Sequence, residues 1–131
     1  MTQTHRHSIS WFAVIGALAA GVHYVVAVSL ELSHLLTAIH ANTMGFLFAF
    51  PVSYFGHRKL SFSGQTSTHS HAFPRFFAVA VSGFLANQFL VINAIYFTNI
   101  PFWLVLGVVM VIVAVSTYFL SRYWAFKGKQ S

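Results

Sequence analysis

Apolar residues fill four long stretches of this chain, approximately Trp11–Leu30, Leu35–Phe55, Phe76–Phe97 and Phe102–Leu120, with short polar breaks between them. Each stretch, as a helix, is long enough to cross about 30 Å of hydrocarbon, which takes roughly 20 residues. Helix is the expected element, because a spanning segment has to satisfy its own backbone hydrogen bonds. No strand-length alternation of the membrane-barrel kind runs through the sequence.

The breaks differ in kind. Glu31-Leu32-Ser33-His34 reads as a tight turn, and so does Thr98-Asn99-Ile100-Pro101, where Asn99 and Pro101 suit the start of a helix. Between them, Ser63-Gly64-Gln65-Thr66-Ser67-Thr68-His69-Ser70-His71 is polar, aperiodic and loop-like. The pattern predicts two helical hairpins joined by a flexible loop. Ala17-Leu18-Ala19 resembles a signal-peptide cleavage site, but the apolar run continues past it to Leu30, so an intact first helix is expected.

The two hairpins match each other. Ser53-Tyr54-Phe55-Gly56-His57-Arg58-Lys59-Leu60-Ser61-Phe62 returns 64 residues later as Thr117-Tyr118-Phe119-Leu120-Ser121-Arg122-Tyr123-Trp124-Ala125-Phe126. At the same offset Phe12 meets Phe76, and the mid-span polar residue His23 meets Asn87. Identities clustered at one membrane boundary point to duplication, and two hairpins of one orientation form a parallel repeat. The expected fold is an all-α integral membrane protein of four transmembrane helices in a single domain, residues 1–131. Repeat 1 covers about 11–62, the loop 63–72 and repeat 2 about 73–126.

Composition supports this class. With 57% hydrophobic and 6% charged residues, 131 residues offer too little polar surface for a water-soluble particle. The net charge of +6 comes from seven basic residues against the single acid Glu31. In a soluble domain it would suggest nucleic acid; here Arg6, Arg58, Lys59, Arg75, Arg122, Lys127 and Lys129 all flank spans on one side of the four-span arrangement. Positive residues stay inside, so both termini and the central loop are expected in the cytoplasm, on a multi-pass protein of the inner membrane. Anionic lipid headgroups are natural partners.

The same composition argues against catalysis. A chain without cysteine has no disulfide, thiolate nucleophile or thiolate metal site. One carboxylate cannot supply a paired acid and base, and no nucleophile–base motif or nucleotide-binding loop is legible. The pairs His5/His7 and His69/His71 do not make the ligand set of a buried metal site. A non-enzymatic protein without cofactor or metal is expected.

Candidate chemistry lies at the polar positions. His23, Asn87, Gln88 and Asn93 fall within spans, where polar groups are costly unless paired, so they should face the bundle or a wet cavity. His23, Asn87 and Asn93 read either as a polar path for a headgroup or as helix glue, with His23 bonded to Asn87. Arg58 and Arg122, repeat-related and set among aromatics, read either as topology signals that snorkel to the headgroups or as a phosphate site. Guanidinium binds phosphate bidentately, and Lys59 and Arg75 would assist.

Other side chains suggest how the spans pack. Tyr54, Tyr118, Tyr123 and Trp124 read as an interfacial aromatic belt. Phe46, Phe48, Phe50 and Phe55 either line a groove for an isoprenoid tail or face lipid. Small residues at Gly16/Ala20 and Ala17/Gly21 in the first span, and Ala78/Ser82 and Ser82/Ala86 in the third, predict a close-packed core or an oligomer interface. A homodimer is the simplest closed case. Pro51, opposite Val115 in the repeat, is expected to kink the second helix alone.

These residues resemble the GtrA-like family of small four-span bacterial membrane proteins of cell-surface polysaccharide synthesis. Phe12-Ala13-Val14-Ile15-Gly16 fits the opening of one family half; Pro74-Arg75-Phe76-Phe77 with Gly83-Phe84-Leu85-Ala86-Asn87 fits the other. Arg58 through Phe62 and Arg122 through Phe126 fit the closing boundary motifs, and the resemblance spans about residues 8–127. His57 and Ser121 stand where the family usually has asparagine, His23 where it is often acidic, and Leu60 where the first motif has tryptophan.

The resemblance implies translocation of an undecaprenyl-phosphate-linked monosaccharide to the outer leaflet, where a separate membrane glycosyltransferase uses it. Arg58 and Arg122 would take the phosphate, and His23, Asn87 and Asn93 would pass the sugar. Two other readings stand beside it. One is a non-transporting adaptor that recruits a polyprenyl-phosphate glycosyltransferase. The other is a proton-coupled exporter, which needs a buried carboxylate in its first helix; Glu31, at the outer end of that span, argues against it.

Overall fold

The computed structural model describes residues 3–61 and 69–120, with side chains described for Trp11, 13–59, Pro74 and 77–116. The described residues form four α-helices and no strand: α1 (Gln3–Leu32), α2 (Ala38–Gly56), α3 (His69–Phe97) and α4 (Phe102–Leu120). α2 runs on into a wider π-helical turn, His57–Ser61. The helices overrun the apolar stretches. α1 starts at Gln3 and takes in Glu31 and Leu32, which were expected in a turn, and α3 starts at His69, inside the expected loop. Extending an existing helix fixes one residue per hydrogen bond, whereas nucleation fixes several, so a helix readily outlasts its apolar face.

Both short connections have a clear stop signal. After Leu32 the chain enters the left-handed region at His34, with φ of 62°. The His34 N–H bonds to the Glu31 carbonyl at 3.0 Å, and the Leu35 N–H bonds to Leu30 at 3.2 Å. This is the paired pattern that caps a helix end, with histidine in the place where glycine is usual. At the other connection Thr98 bonds back to Ala94 and accepts from the Ile100 N–H at 3.3 Å. Pro101 then offers its carbonyl to Leu104 and Val105, at 3.1 and 3.0 Å, to start α4.

The helices pack as a ring, α1 on α2, α2 on α3, α3 on α4 and α4 on α1. The main core lies at the end with the short turns, where Ala27, Ala41, Val91, Phe102, Val105, Leu106 and Val109 are buried together. Tyr24 of α1 ties this end to α4 by donating to the Trp103 carbonyl at 2.9 Å.

The small residues of α1 and α3 do not form a close-packed core between those two helices. A Cβ on Gly16, Gly21 or Gly83 would meet nothing within 4 Å, so these glycines do not draw α1 and α3 together. The tight contact is between α1 and α2. A Cβ on Gly45 would come within 2.6 Å of the His23 carbonyl oxygen, and one on Gly56 within 2.7 Å of Ile15. Ala41, Gly45 and Ala49, four residues apart, are all buried on this face of α2. Close backbone approach favours dispersion contacts, the main source of helix association in lipid.

The outer surface is strongly apolar. Val79 is 68% exposed, Phe89 66% and Val111 63%. Two helical stretches, Ala13–Leu32 and Phe77–Phe97, are long and apolar enough to cross a membrane, and Phe102–Ser116 is apolar but shorter. Large apolar side chains spread over the outside of a bundle with a small core suit hydrocarbon as the surrounding medium.

Candidate functional site

Polar residues buried at the centre of the apolar helices define the site. His23 lies near the middle of the Ala13–Leu32 stretch, and Asn87 in the middle of Phe77–Phe97. They do not bond to each other as expected. Asn42 of α2, fully buried, stands between them. The His23 Nε2 donates to Asn42 Oδ1 at 2.7 Å. The Asn42 Nδ2 donates to Asn87 Oδ1 at 2.8 Å and to Gln88 Oε1 at 2.9 Å. Gln88 Nε2 donates in turn to the Ile39 carbonyl and to Thr43 Oγ1, each at 3.2 Å.

Three helices are thus joined by one chain of side-chain hydrogen bonds in the bundle interior. A single asparagine between a histidine and two amides satisfies its acceptor and both of its donors. Close α1–α2 contact makes this possible: Gly45 brings the α2 backbone against His23, one helical turn from Asn42. Asn42 was not among the residues singled out in the sequence. Its signal was the Ala41-xxx-Gly45-xxx-Ala49 stripe, which puts the start of α2 inside the bundle.

Below this polar layer a cleft of about 240 Å³ opens between the four helices. Small residues make the space: Ala19 and Ala20 on α1, Ala49 and Ser53 on α2, Ala80 and Gly83 on α3. His23 and Asn87 border its inner end, and Phe46, Phe50 and Phe84 flank it. The residues of the main core, Ala27, Ala41, Val91 and Leu106, lie beyond that inner end. The cleft therefore stops at the polar layer and extends toward the end of the bundle that carries the π-helical turn.

An aromatic seam follows the same direction. Phe46 stacks on Phe84 with centroids 4.6 Å apart, and Phe50 lies parallel to Tyr54 at 6.3 Å. Phe50 also meets the edge of Phe77 at 5.7 Å. Of the phenylalanines considered for a groove, Phe46 and Phe50 line the cleft, while Phe48 and Phe55 are exposed. Tyr54, expected in an interfacial belt, is 4% exposed and packs inside the bundle.

The seam ends near the basic residues. Arg58 and Lys59 sit in the π-helical turn, Arg58 half-buried and Lys59 exposed. This turn packs against α1 and α2, and π-helical turns are frequent at functional sites. His57, at its start, is buried, and desolvation lowers its ring below the ordinary 6.5. Along the helix axis, Asn42 and Arg58 are separated by about 24 Å at about 1.5 Å per residue.

The remaining expected site residues are placed apart. The Asn93 Nδ2 bonds to the Phe89 carbonyl of its own helix at 2.8 Å, and Asn93 takes no part in the polar chain. Arg122 and Trp124 lie outside the described residues, as do the side chains of Arg75 and Tyr118. Among the described residues no group of three or more His, Asp or Glu side chains is placed to hold a metal ion.

Fold and site together define a helical membrane domain with a polar knot at mid-depth and a cleft open on one side. The chain belongs to the GtrA/DPMS transmembrane-domain family, whose model matches residues 11–126. No curated protein and no solved structure matches the chain.

Proposed function

We propose that the protein moves a polyprenyl-phosphate-linked monosaccharide across the inner membrane, as a four-span, multi-pass protein with both termini in the cytoplasm. The observation that carries this reading is the cleft, which lies on the Arg58 side of a polar layer at mid-depth. Family membership directs it to polyprenyl-phosphate sugars. The seven basic residues at one side of the spans direct it to the cytoplasmic leaflet.

Arg58, helped by Lys59 and by Arg75 and Arg122 of the second repeat, takes the phosphate at the cytoplasmic boundary. Guanidinium suits this anion through bidentate, charge-assisted bonds. The prenyl tail stays in hydrocarbon, against Phe48, Phe55 and the exposed face of the bundle. The sugar enters the cleft, where His23 and Asn87 replace part of its hydration. A homodimer and a downstream membrane glycosyltransferase complete the expected partnership, and consumption of the lipid-linked sugar outside gives the movement its direction.

The test uses full-length protein in phospholipid vesicles with a fluorescent short-chain polyprenyl phosphoglucose. Wild type should speed its transfer between leaflets, and Arg58→Ala with Arg122→Ala should remove that effect. No acceleration by wild type, combined with stable co-purification of a glycosyltransferase, would replace transport by the adaptor role.

A further inference from the structure

The polar chain leaves two atoms without a partner. Asn42 Nδ2 donates both its protons, to Asn87 and Gln88, so Asn42 Oδ1 is the acceptor facing His23. Nε2 of the neutral imidazole must then carry the proton, leaving the lone pair on Nδ1. Asn87 Oδ1 is occupied by Asn42, leaving the Asn87 amide N–H groups. Among the described residues neither His23 Nδ1 nor Asn87 Nδ2 has a hydrogen-bond partner. Every fully buried side-chain nitrogen and oxygen among the described residues is hydrogen-bonded. These two atoms therefore reach open space, although His23 is 8% and Asn87 5% exposed. The space that both residues line is the inner end of the cleft.

We propose that this inner end is a neutral hydroxyl-binding subsite, in which His23 Nδ1 accepts from, and Asn87 Nδ2 donates to, hydroxyl groups of the ligand. The assignment deepens the transport reading and rests on it. One acceptor beside one donor matches a hydroxyl, which gives and receives, or two neighbouring hydroxyls on one ring. A phosphate offers only acceptors, so the His23 lone pair disfavours it. The apolar rings of Phe46 and Phe84 fit the C–H face of a sugar, and Phe84 lies 6.5 Å from the His23 ring.

Asn42 is the positioning residue. It holds the histidine in the tautomer that presents a lone pair and turns the Asn87 amide so that its nitrogen faces the cleft. Without Asn42, both groups would be free to rotate and the donor–acceptor pair would lose its order.

The experiment compares two probes on purified full-length protein in nanodiscs: citronellyl phosphoglucose and citronellyl phosphate. Two neutral hydrogen bonds should make wild type bind the phosphoglucose about tenfold more tightly. Gly83→Leu adds bulk to the cleft wall at a position where a Cβ meets nothing within 4 Å, and Asn87→Ala removes the donor. Each should bring the two affinities together, with helix content by circular dichroism retained. Ser82→Ala, whose hydroxyl bonds only to Ala78 of its own helix, should keep the tenfold difference. Equal binding of the two probes by wild type, or a sugar preference that survives Gly83→Leu, overturns the subsite while leaving phosphate capture standing. Failure of wild type to bind either probe overturns both.

Discussion

Replacing Asn42 by alanine should weaken the whole bundle, because this one side chain joins α1, α2 and α3. It makes three interhelical hydrogen bonds, at 2.7, 2.8 and 2.9 Å, and is fully buried. Interhelical hydrogen bonds in membrane proteins average about 0.6 kcal/mol, so losing three costs about 2 kcal/mol. The small cavity left behind raises that figure. A loss of about 2 kcal/mol lowers the folded-to-unfolded ratio roughly thirtyfold. Asn93→Ala is the control: its amide bonds only to Phe89 of the same helix, and the change should stay within about 0.5 kcal/mol. Unfolding by sodium dodecyl sulfate titration in mixed micelles, followed by far-ultraviolet circular dichroism, measures both. Equal stability of the two variants would refute the role given to Asn42.

Packing and titration give three further expectations. Gly45→Ala should destabilise by about 1–3 kcal/mol, since its Cβ would sit 2.6 Å from the His23 backbone; Gly16→Ala, with nothing within 4 Å, should be neutral or slightly stabilising in the same titration. His34→Gly should raise stability by about 1 kcal/mol, because φ of 62° is strained for histidine and open to glycine. Burial lowers the folded His57 ring below 6.5, so the unfolded ring takes up a proton first. Its contribution to stability is therefore complete above about pH 6.5 and is lost as pH falls toward the folded value, a slope that His57→Phe should flatten.

Much of this architecture is visible in the residue pattern because hydrocarbon permits few solutions. The apolar runs at Trp11–Leu30 and Phe76–Phe97 required helices, and Pro101 marked where α4 begins. His23 and Asn87 stood out as polar residues amid apolar neighbours, and both reached the site. Asn42 was missed because it follows His40 near the start of its helix, where polar residues look like an ordinary boundary. The Ala41-xxx-Gly45-xxx-Ala49 stripe was the one signal that this stretch is interior, and the pairing of α1 with α2 through Gly45 shows it. Small residues in α1 and α3 suggested a close-packed core or an oligomer interface, but spacing alone cannot tell which surface fills a groove. In the structure Ala20, one of that set, borders space together with Ala19, Ala80 and Gly83, and that space is the cleft. Tyr54 similarly has the composition of a belt residue and the surroundings of a core residue.

The central claim is that the cleft admits a polar headgroup from the cytoplasmic side as far as mid-depth. Because the chain has no cysteine, single substitutions report on it without background. Ser53→Cys and Ala80→Cys line the cleft, Ala27→Cys lies in the core beyond the polar layer, and Val79→Cys faces outward. In oriented vesicles, a membrane-impermeant thiol reagent applied from the cytoplasmic side should label the first two and neither of the others, and a polyprenyl phosphoglucose should protect them. Labelling of Ser53→Cys and Ala80→Cys only from the opposite side, or labelling unaffected by the lipid-linked sugar, would contradict the account.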